Sequence, residues 1–395
     1  MKILQVIPYF PPSYAFGGSL KVAYQISKEL VKRGHEVVVY TTDAENLDSR
    51  LNVEPVKVVD GIKVHYMKNL SLMLVKWSKL FITTDIGLRA KEEIKEFDIV
   101  HLHEYRSYQN IIIHRYAKKY GVPYVLQAHG SLPRTMAKRW LKRIYDALFG
   151  YRLLRDASRV VALSRVEAEQ YKSMGVSDEK IAIIPDGIDL SEYVDLPPKG
   201  SFKKKFGIDS DKKMILYLGR IHKIKGIDFL VRAYACLLKS MKDDNAILVL
   251  AGSDDGYLAG AKRLVASLKI ADKVVFTGML TEKEKVSAYV DSSIVVNVEP
   301  INVFGLVPLE AAACATPVIV SNTNAISEII DGGRFGFSVN YGDVNELARV
   351  MGKMLDNDDL SRKMGQNGRD FVSKKFSWNR IITSFEKVYK DAIEN

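Results

Sequence analysis

The sequence predicts an α/β protein with two doubly wound, Rossmann-like domains, and three observations support this fold class. The chain has 395 residues, which is too long for one ordinary core and suits two domains. Short apolar runs alternate with amphipathic helical segments, the order of a parallel sheet covered by helices. The second half of the chain repeats this plan, so we expect one such sheet in each half.

In the first half, the predicted strands are short runs that are apolar on both faces, as in a buried parallel sheet. These runs are Ile3–Ile7, Val37–Tyr40, Ile99–Leu102, Tyr124–Leu126, Val160–Leu163 and Ile181–Ile184. The segment Ser19–Arg33 carries its apolar residues on one helical face, and it links the first strand to the second.

The second half shows the same alternation. Its predicted strands are Met214–Leu218, Ala246–Leu250, Val274–Thr277, Ile294–Val298 and Pro317–Val320. Its predicted helices are Asp228–Leu238, Tyr257–Leu268, Glu282–Val290 and Leu306–Cys314. The Pro- and Gly-containing stretch Val194–Ser201 is the predicted linker. Because ligands of doubly wound domains bind at the carboxyl ends of the strands, we expect a cleft where two such edges face each other.

The composition excludes several classes of protein. The apolar fraction of 47% and the charged fraction of 27% are typical of a soluble globular protein. Two cysteines, Cys236 and Cys314, lack metal-ligand spacing, which argues against a disulfide framework or a zinc site and fits a reducing cytosol. The N-terminal apolar run ends at Pro8, too early for a signal peptide, and no run of about 18 apolar residues occurs. We therefore expect a cytoplasmic protein.

The net charge of +11 is unevenly distributed. Residues 1–190 carry 29 Lys and Arg against 21 Asp and Glu, whereas residues 191–395 carry 29 against 26. A basic half indicates an anionic partner, such as a membrane surface, a phosphorylated acceptor or nucleic acid. Nucleic acid is the least expected of these, because the basic residues are not interleaved with aromatic residues in a recognised binding module.

A glycine-containing loop leads into a helix after the predicted strand Ile294–Val298. Gly305 would let a ligand approach the backbone closely, and the free N–H groups of Leu306 and Val307 could hold phosphate oxygens. Glu310, in the early turns of the helix, could accept hydrogen bonds from a ribose diol. The alternative is that Gly305 forms a turn and Glu310 compensates the helix dipole.

A basic turn follows the first predicted strand of the second domain directly. Arg220 can bind a phosphate through two parallel hydrogen bonds, and Lys225 adds a point charge. A leaving nucleoside diphosphate gains negative charge as the sugar bond breaks, so fixed cations here could replace a metal ion. The alternative is a solvated basic turn.

Two further candidates lie at strand ends of the N-terminal domain. Gly17 and Gly18 precede the first helix, where they either admit a phosphate or sugar or form a flexible loop. His129 follows a strand in the segment Leu-Gln-Ala-His-Gly, and it is either structural or in contact with donor or acceptor. His101 and His103 share one strand face, but no third ligand accompanies them, so no metal is predicted.

Residues 134–155 form a two-sided helical pattern with seven basic residues and one acidic residue. The basic side comprises Lys138, Arg139, Lys142 and Arg143. The apolar side comprises Ala137, Trp140, Leu141, Ile144 and Leu148. Such a helix can lie on an anionic lipid surface, and the apolar stretch Leu70–Ile82 could belong to the same face. The alternative is a helix packed on its own sheet with a solvated basic face.

In their order and spacing, these segments resemble the retaining glycosyltransferases of family 4, which have the GT-B fold. The resemblance extends over nearly the whole chain. It rests on the Gly17-Gly18 loop, Arg33-Gly-His-Glu-Val, Asp98-Ile-Val-His-Leu-His, Ala-His129-Gly, Ala162-Leu-Ser, Ile184-Pro-Asp-Gly-Ile-Asp189, Gly-Arg220…Lys225-Gly and Phe-Gly305-Leu…Leu-Glu310-Ala. The fold implies domains at residues 1–193 and 202–375, and a last helix, Trp378–Ile393 within residues 376–395, that crosses back to the first domain.

The resemblance also implies roles for individual residues. Arg220 and Lys225 would bind the donor diphosphate, and Glu310 would bind its ribose. His129 would lie beside the transferred sugar. The glycines and backbone N–H groups implied to lie along the donor are Gly17, Gly18, Gly278, Gly305 and Leu306, with the base near Gly278.

Two positions depart from the family pattern. The family usually has two glutamates eight residues apart, the second at Glu310, but the first position is Asn302. That glutamate contacts hydroxyls of the donor sugar, which an amide can bind only without charge. Asn302 is therefore a catalytic candidate, together with His129 and the two cations. Its amide leaves the identity of the donor sugar and the rate of transfer open. Asp186 stands where the family commonly has asparagine.

The resemblance implies a retaining, metal-independent glycosyltransferase of the hexosyltransferase type that needs no cofactor. Its donor would be a UDP- or GDP-sugar. Its acceptor would be a saccharide or a lipid-linked precursor, with the protein peripheral on the inner membrane face. Two alternatives remain open: an epimerase of nucleotide sugars with the same architecture, and a catalytically weak nucleotide-sugar-binding subunit of a membrane assembly.

Overall fold

A computed structural model describes residues 1–134, 139–241, 245–300 and 303–394. The chain divides into two compact units, Met1–Gly187 with Trp378–Asn395, and Ile188–Ser377. The strands of the first unit are β1 (Lys2–Val6), β2 (Glu36–Thr42), β3 (Val56–Val59), β4 (Ile62–Met67), β5 (Ile99–His103), β6 (Tyr124–Gln127), β7 (Arg159–Ala162) and β8 (Ile181–Ile183). Those of the second are β9 (Lys213–Leu218), β10 (Ala246–Ala251), β11 (Val274–Gly278), β12 (Ile294–Asn297), β13 (Val318–Ser321) and β14 (Gly336–Val339).

The helices alternate with these strands along the chain. The first half contains α1 (Gly18–Lys32), α2 (Leu72–Ser78), α3 (Ile86–Glu93), α4 (Tyr108–Tyr120), α5 (Arg139–Tyr145), α6 (Tyr151–Asp156) and α7 (Arg165–Ser173). Then follow α8 (Ser201–Lys205), α9 (Ile227–Ser240), α10 (Leu258–Ser267), α11 (Glu282–Asp291), α12 (Leu306–Ala313), α13 (Ser327–Gly333), α14 (Val344–Leu355), α15 (Asp358–Lys375) and α16 (Trp378–Glu394). Across the described ranges, no helix has the length and apolar character needed to span a bilayer.

In the described part of the first unit, eight strands form one sheet in the order β3-β4-β2-β1-β5-β6-β7-β8. Neighbouring strands are parallel except β3 and β4, which pair antiparallel. Side chains of the central strand β1 alternate between two cores, with Leu4 and Val6 in one and Ile3 in the other. The strand is therefore apolar on both faces, as the sequence predicts. The strand order reverses between β1 and β5, which is the place where doubly wound sheets bind ligands.

The last helix, α16, belongs to the first unit. Its apolar stripe, which includes Ile382, packs into the same core as Ile3 of β1. On its polar side, Glu386 accepts a hydrogen bond from Arg33 at 2.6 Å and pairs with His35 at 2.9 Å. These contacts attach the C-terminal helix to the unit in which the chain begins.

In the described part of the second unit, six strands form a parallel sheet in the order β11-β10-β9-β12-β13-β14. The order reverses between β9 and β12, so this sheet has its own ligand-binding position at that edge. The core is formed by buried residues of the sheet and of α9 and α14, with Leu230 and Met351 fully buried.

Every strand predicted from an apolar run is confirmed, with ends shifted by at most two residues. The predictions missed β3, β4 and β14. A signal for the β3–β4 hairpin was present in Asp60-Gly61, a pair with φ of +50° and +78° that favours a tight hairpin turn. The single helix predicted over residues 134–155 is wrong as a continuous α-helix, because a π-helical turn, Asp146–Gly150, separates α5 from α6.

Candidate active site

Two glycines open the space beside the strand reversal of the first sheet. Gly17 has φ of +105°, a conformation that favours glycine, and α1 begins at Gly18. A Cβ atom added at either position would have no heavy atom within 4 Å. Packing therefore does not require glycine at either position.

A half-buried polar cluster lies next to these glycines. The hydroxyl of Tyr9 donates to the carboxylate of Glu104 at 2.9 Å and lies 3.3 Å from the hydroxyl of Ser19. Glu104 follows β5 with φ of +64°, and burial raises the pKa of its carboxyl against the opposing effect of these hydrogen bonds. No local sequence pattern predicts this pair, because the two residues are 95 positions apart.

His129 follows β6 in a turn with φ of +50°. Its Nε2 lies 2.8 Å from Nδ1 of His103, and burial lowers the pKa of His129 to about 3, so the ring is neutral at physiological pH. The backbone N–H of Gly130 donates to Glu167 at 2.6 Å, and that of Leu163 donates to the same carboxylate at 2.7 Å. Burial raises the pKa of Glu167 to about 7. Glu167 thus fixes the turn that carries His129, a role that the sequence analysis did not identify.

In the second unit, an ion pair lies at the strand reversal between β9 and β12. Nζ of Lys225 is 2.6 Å from Oε2 of Glu299, with the two side chains 20% and 9% exposed. The amide of Asn297 donates to the other carboxylate oxygen at 3.4 Å. The turn is close to β12 because Gly226, with φ of +69°, has no side chain. A Cβ atom there would lie 2.1 Å from the carbonyl oxygen of Val298.

Arg220 lies on the same turn but faces solvent. Its side chain is 57% exposed, and its Nη1 is 2.5 Å from a carboxylate oxygen of Asp255. The hydroxyl of Tyr217 donates to the Arg220 carbonyl at 2.9 Å and so holds the backbone of the turn. Among the described residues, no other ion pair of this guanidinium occurs, so its second terminal nitrogen can bind an anion.

The remaining donor candidates lie at the same edge of the second sheet, at the end of β11 and after β12. Gly305 is the N-cap of α12, and Leu306 is its first residue. The hydroxyl of Tyr289 donates to Oε2 of Glu310 at 2.6 Å, which orients that carboxylate. Gly278 ends β11 with φ of +73°, and a Cβ atom there would meet nothing within 4 Å.

The second sheet thus carries its predicted residues along one edge, as the chain order of its strands requires. The turn after β9 carries the two cations, β11 ends at Gly278, and α12 follows β12. The fourth catalytic candidate, Asn302, lies outside the described residues. Within the described ranges, no three His, Cys, Asp or Glu side chains are arranged to hold a metal ion.

Comparison with known proteins identifies the family. The model for Glycosyltransferase Family 4 matches residues 16–192, and the model for Glycosyl transferases group 1 matches residues 198–371. The chain belongs to these glycosyltransferases. The two matches together cover most of the enzyme and meet near the predicted linker.

The relatives agree with this assignment. The glycosyltransferase is 27% identical to an uncharacterized glycosyltransferase of Methanocaldococcus jannaschii, over 100% of this chain and 99% of that one. It is 26% identical to a D-inositol 3-phosphate glycosyltransferase of Gordonia bronchialis, over 98% of this chain and 87% of that one. In fold it resembles Anabaena HepE, solved in complex with UDP and glucose, with a TM-score of 0.77 at 18% identity and 98% of both chains covered. The fold is therefore of the GT-B type.

The basic side of the predicted surface helix is only partly free in the glycosyltransferase. Arg139 and Arg143 of α5 are exposed. Lys142 is half-buried, and it donates to the carbonyl of Pro133 at 3.3 Å, while burial lowers the pKa of its ammonium group. Lys138 lies outside the described residues.

The apolar side of the same segment is exposed. The exposed fractions are 64% for Trp140, 43% for Leu141, 47% for Ile144 and 55% for Leu148. The alternative that this side packs on its own sheet is therefore wrong. The segment is anchored instead by Asp146, which is fully buried and pairs with Arg106 at 2.8 Å and Arg134 at 2.7 Å. Asp146 is the first residue of the π-helical turn.

Proposed function

We propose that the enzyme transfers a sugar from a UDP- or GDP-sugar to a saccharide or lipid-linked acceptor. The observation that carries the donor assignment is the pair of cations, Arg220 and Lys225, on one turn at the strand reversal of the second sheet. Ligands of doubly wound sheets bind at such a reversal, and two fixed positive charges there suit a diphosphate.

The cations would act on the leaving group. As the bond between sugar and phosphate breaks, negative charge accumulates on the diphosphate, and a preorganised cation stabilises that charge more than the ground state. Lys225 would exchange part of its contact with Glu299 for a phosphate oxygen. Backbone N–H groups at the start of α12, beginning with Leu306, would add donors from a helix N-terminus.

The nucleoside end of the donor would lie farther along the same edge. Because Tyr289 occupies Oε2 of Glu310, Oε1 is the oxygen for a ribose hydroxyl. The open space at Gly278 supports placement of the base at the end of β11. The complex of Anabaena HepE with UDP supports uridine as the base.

Family membership supports retention of configuration through a front-face reaction. In such a reaction, the bond from the anomeric carbon to the diphosphate oxygen breaks, and the acceptor oxygen attacks from the same side. The leaving phosphate oxygen takes the acceptor proton. His129 would lie beside the sugar as a neutral ring. The cations would supply the positive charge, so we propose that no metal ion is needed.

A panel of UDP-, GDP- and ADP-sugars tests the donor. We expect one nucleotide series to raise the melting temperature and to be hydrolysed slowly, with and without EDTA. Complete loss of activity in EDTA, restored by a divalent metal, would contradict metal independence. Interconversion of the free sugar without an acceptor would identify an epimerase instead. Binding without turnover in any acceptor screen would favour a binding subunit.

For the acceptor, we propose that the enzyme works at an anionic membrane surface. Two segments with exposed apolar side chains, Leu70–Ile82 and α5, contact the start of α4 in the first unit. The Phe81 carbonyl accepts a hydrogen bond from Gln109 at 2.7 Å, and Tyr145 of α5 donates to the Ser107 carbonyl at 3.2 Å. Leu70, before α2, and Met73, within it, are 60% and 70% exposed. Exposed apolar side chains beside Arg139 and Arg143 suit an interface that offers hydrocarbon and negative charge together.

Vesicle binding tests this surface. The wild type should co-sediment with phosphatidylglycerol vesicles at low salt and much less with phosphatidylcholine vesicles. Arg139→Gln with Arg143→Gln should weaken binding by about 1 kcal/mol for each charge and leave donor hydrolysis unchanged. The matched control is Lys91→Gln with Lys95→Gln, on exposed positions of α3 and the turn after it. Equal binding by both double variants, or none by the wild type, would contradict the membrane proposal.

A phosphorylated polyol belongs in the acceptor screen, since the Gordonia bronchialis relative is named for D-inositol 3-phosphate.

A further inference from the structure

Behind His129, a chain of buried hydrogen bonds runs through the first unit to the last helix. Nδ1 of His103 is 2.8 Å from His129, and Nε2 of His103 is 2.6 Å from Oε1 of Gln5 on β1. The amide of Gln5 donates to the hydroxyl of Tyr389 on α16 at 3.4 Å, and that hydroxyl is 2.7 Å from Nδ1 of His101. Apart from His129, all these side chains are fully buried.

The chain has a direction, because an amide oxygen can only accept and an amide nitrogen can only donate. The nitrogen of Gln5 faces Tyr389, so its oxygen faces His103, and Nε2 of His103 must carry the proton. Burial keeps the pKa of His103 well below its usual value, so its ring is neutral and holds a single proton. Nδ1 of His103 is then an acceptor, and it takes its hydrogen bond from Nε2 of His129.

The same reasoning fixes the outward nitrogen of His129. A neutral His129 with its proton on Nε2 has a lone pair on Nδ1, for which the described residues offer no partner. That nitrogen can accept a hydrogen bond from a hydroxyl group, and it cannot donate one to a phosphate oxygen.

We propose that Tyr389 is a positioning residue that acts through Gln5 and His103 to hold His129 in the Nε2-protonated tautomer, so that Nδ1 accepts a hydrogen bond from a sugar hydroxyl. The ligand part of this proposal rests on the proposed function. The tautomer part concerns the free protein, so the two can fail separately. The terminal helix thereby contributes to the reaction without touching the substrate.

The first test is on the wild-type protein without ligand. Selective ¹⁵N labelling of the seven histidines, with long-range ¹H–¹⁵N correlation spectra, identifies each tautomer. The His129 signal is assigned by its loss in His129→Gln. We expect His129 and His103 to be neutral with the proton on Nε2 at about pH 7. A proton on Nδ1 of His129, or a charged ring, would overturn the proposal whatever the donor proves to be.

The second test removes the hydroxyl at the far end of the chain. Tyr389→Phe should convert His129 to a mixture of tautomers and lower kcat by about fivefold to tenfold, with a smaller change in KM for the donor. The control is Tyr124→Phe, which also removes a buried hydroxyl of the first unit, one that donates to the Leu153 carbonyl at 2.5 Å. It should lower the melting temperature without changing the His129 tautomer. Unchanged His129 signals in Tyr389→Phe would refute the positioning role, and normal tautomers with no transferase activity would refute only the proposed function.

Discussion

Lys225 and Glu299 form an ion pair, with Nζ and Oε2 2.6 Å apart, that joins the turn after β9 to the segment after β12. Glu299 is 9% exposed, and Lys225 is the cation that neutralises this buried carboxylate. Lys225 is thereby held at the strand reversal before any donor arrives. The ammonium group of Lys225 thus contributes to the stability of the second unit, and the same group is proposed to bind the diphosphate.

We expect Lys225→Met to reduce donor use severely, by about 2–4 kcal/mol in transition-state stabilisation, because one charge-assisted contact is lost. It should also destabilise the second unit, since Glu299 is left buried without its cation. Adding Glu299→Gln should restore the melting temperature and leave kcat/KM low. Restoration of both quantities in the double variant would mean that Lys225 serves the fold alone.

Arg220 offers a cleaner test of the diphosphate site, because its pair with Asp255 is exposed. Arg220→Ala should change the free energy of unfolding by less than about 1 kcal/mol, as for other surface pairs, while kcat/KM for the donor falls strongly. The control is Asp255→Ala, which breaks the same pair but keeps the cation. If both variants lose the same activity, then the ion pair itself, rather than the guanidinium charge, is what matters.

Asp186 should make stability depend on pH. It is 7% exposed, its Oδ1 has no partner among the described residues, and burial raises its pKa to about 8. Between its ordinary pKa of 3.8 and this value, the folded state binds the extra proton. The contribution of Asp186 to the free energy of unfolding therefore falls as the pH rises through that window, and this loss is complete above about pH 8.

Asp186→Asn should remove that loss of stability at high pH. We expect it to raise the free energy of unfolding by about 1–3 kcal/mol at alkaline pH and much less near the ordinary pKa of aspartate. Urea unfolding across the pH range measures the difference. Asp178→Asn, at a side chain that is 77% exposed, is the control and should show no comparable pH-dependent gain. A gain from Asp186→Asn that is equal at all pH values would show that the carboxyl is not neutral in the folded protein.

Two glycines with nearly the same backbone conformation should differ in their response to alanine. Gly226 and Gly278 have φ of +69° and +73°, so both variants bear about 1–2 kcal/mol of left-handed strain. Only Gly226→Ala also meets backbone, at 2.1 Å from the Val298 carbonyl oxygen. We expect Gly226→Ala to lower the melting temperature further and to raise the donor KM by displacing Lys225. Equal effects of the two variants on stability and KM would contradict this account.

Asn302 is a prediction from sequence, at a position outside the described residues. Asn302→Glu should keep the affinity for the free nucleotide, because Glu310 and the two cations are unchanged. It should alter the ranking of sugars within one nucleotide series, by about tenfold for each 1.4 kcal/mol of differential contact. An unchanged ranking and rate would mean that residue 302 does not face the sugar. A gain of turnover from an inactive wild type would favour the binding-subunit alternative.

The sequence alone determined the parallel strands and the edge at which the candidate site lies. Buried parallel strands are apolar on both faces, and that pattern is local, so β1 and β9 could be read from a few consecutive residues. The carboxyl end of each strand then follows from chain direction, which placed Arg220 and Lys225 correctly after β9. The edge strand β3 was missed because it is not a buried strand: Val58 is 65% exposed.

Only the tertiary structure decided which side chains meet. Glu299 lies 74 positions from Lys225, and Tyr389 lies 288 positions from His101, so no local pattern could pair them. The sequence pattern likewise could not predict whether the apolar side of α5 is buried or exposed. An amphipathic stripe has the same spacing whether it packs on a sheet or faces solvent. In this segment Asp146 is buried instead, where it pairs with Arg106 and Arg134. Local periodicity fixes the elements, but hydrogen bonds and ion pairs between distant segments form only once the strands are in register.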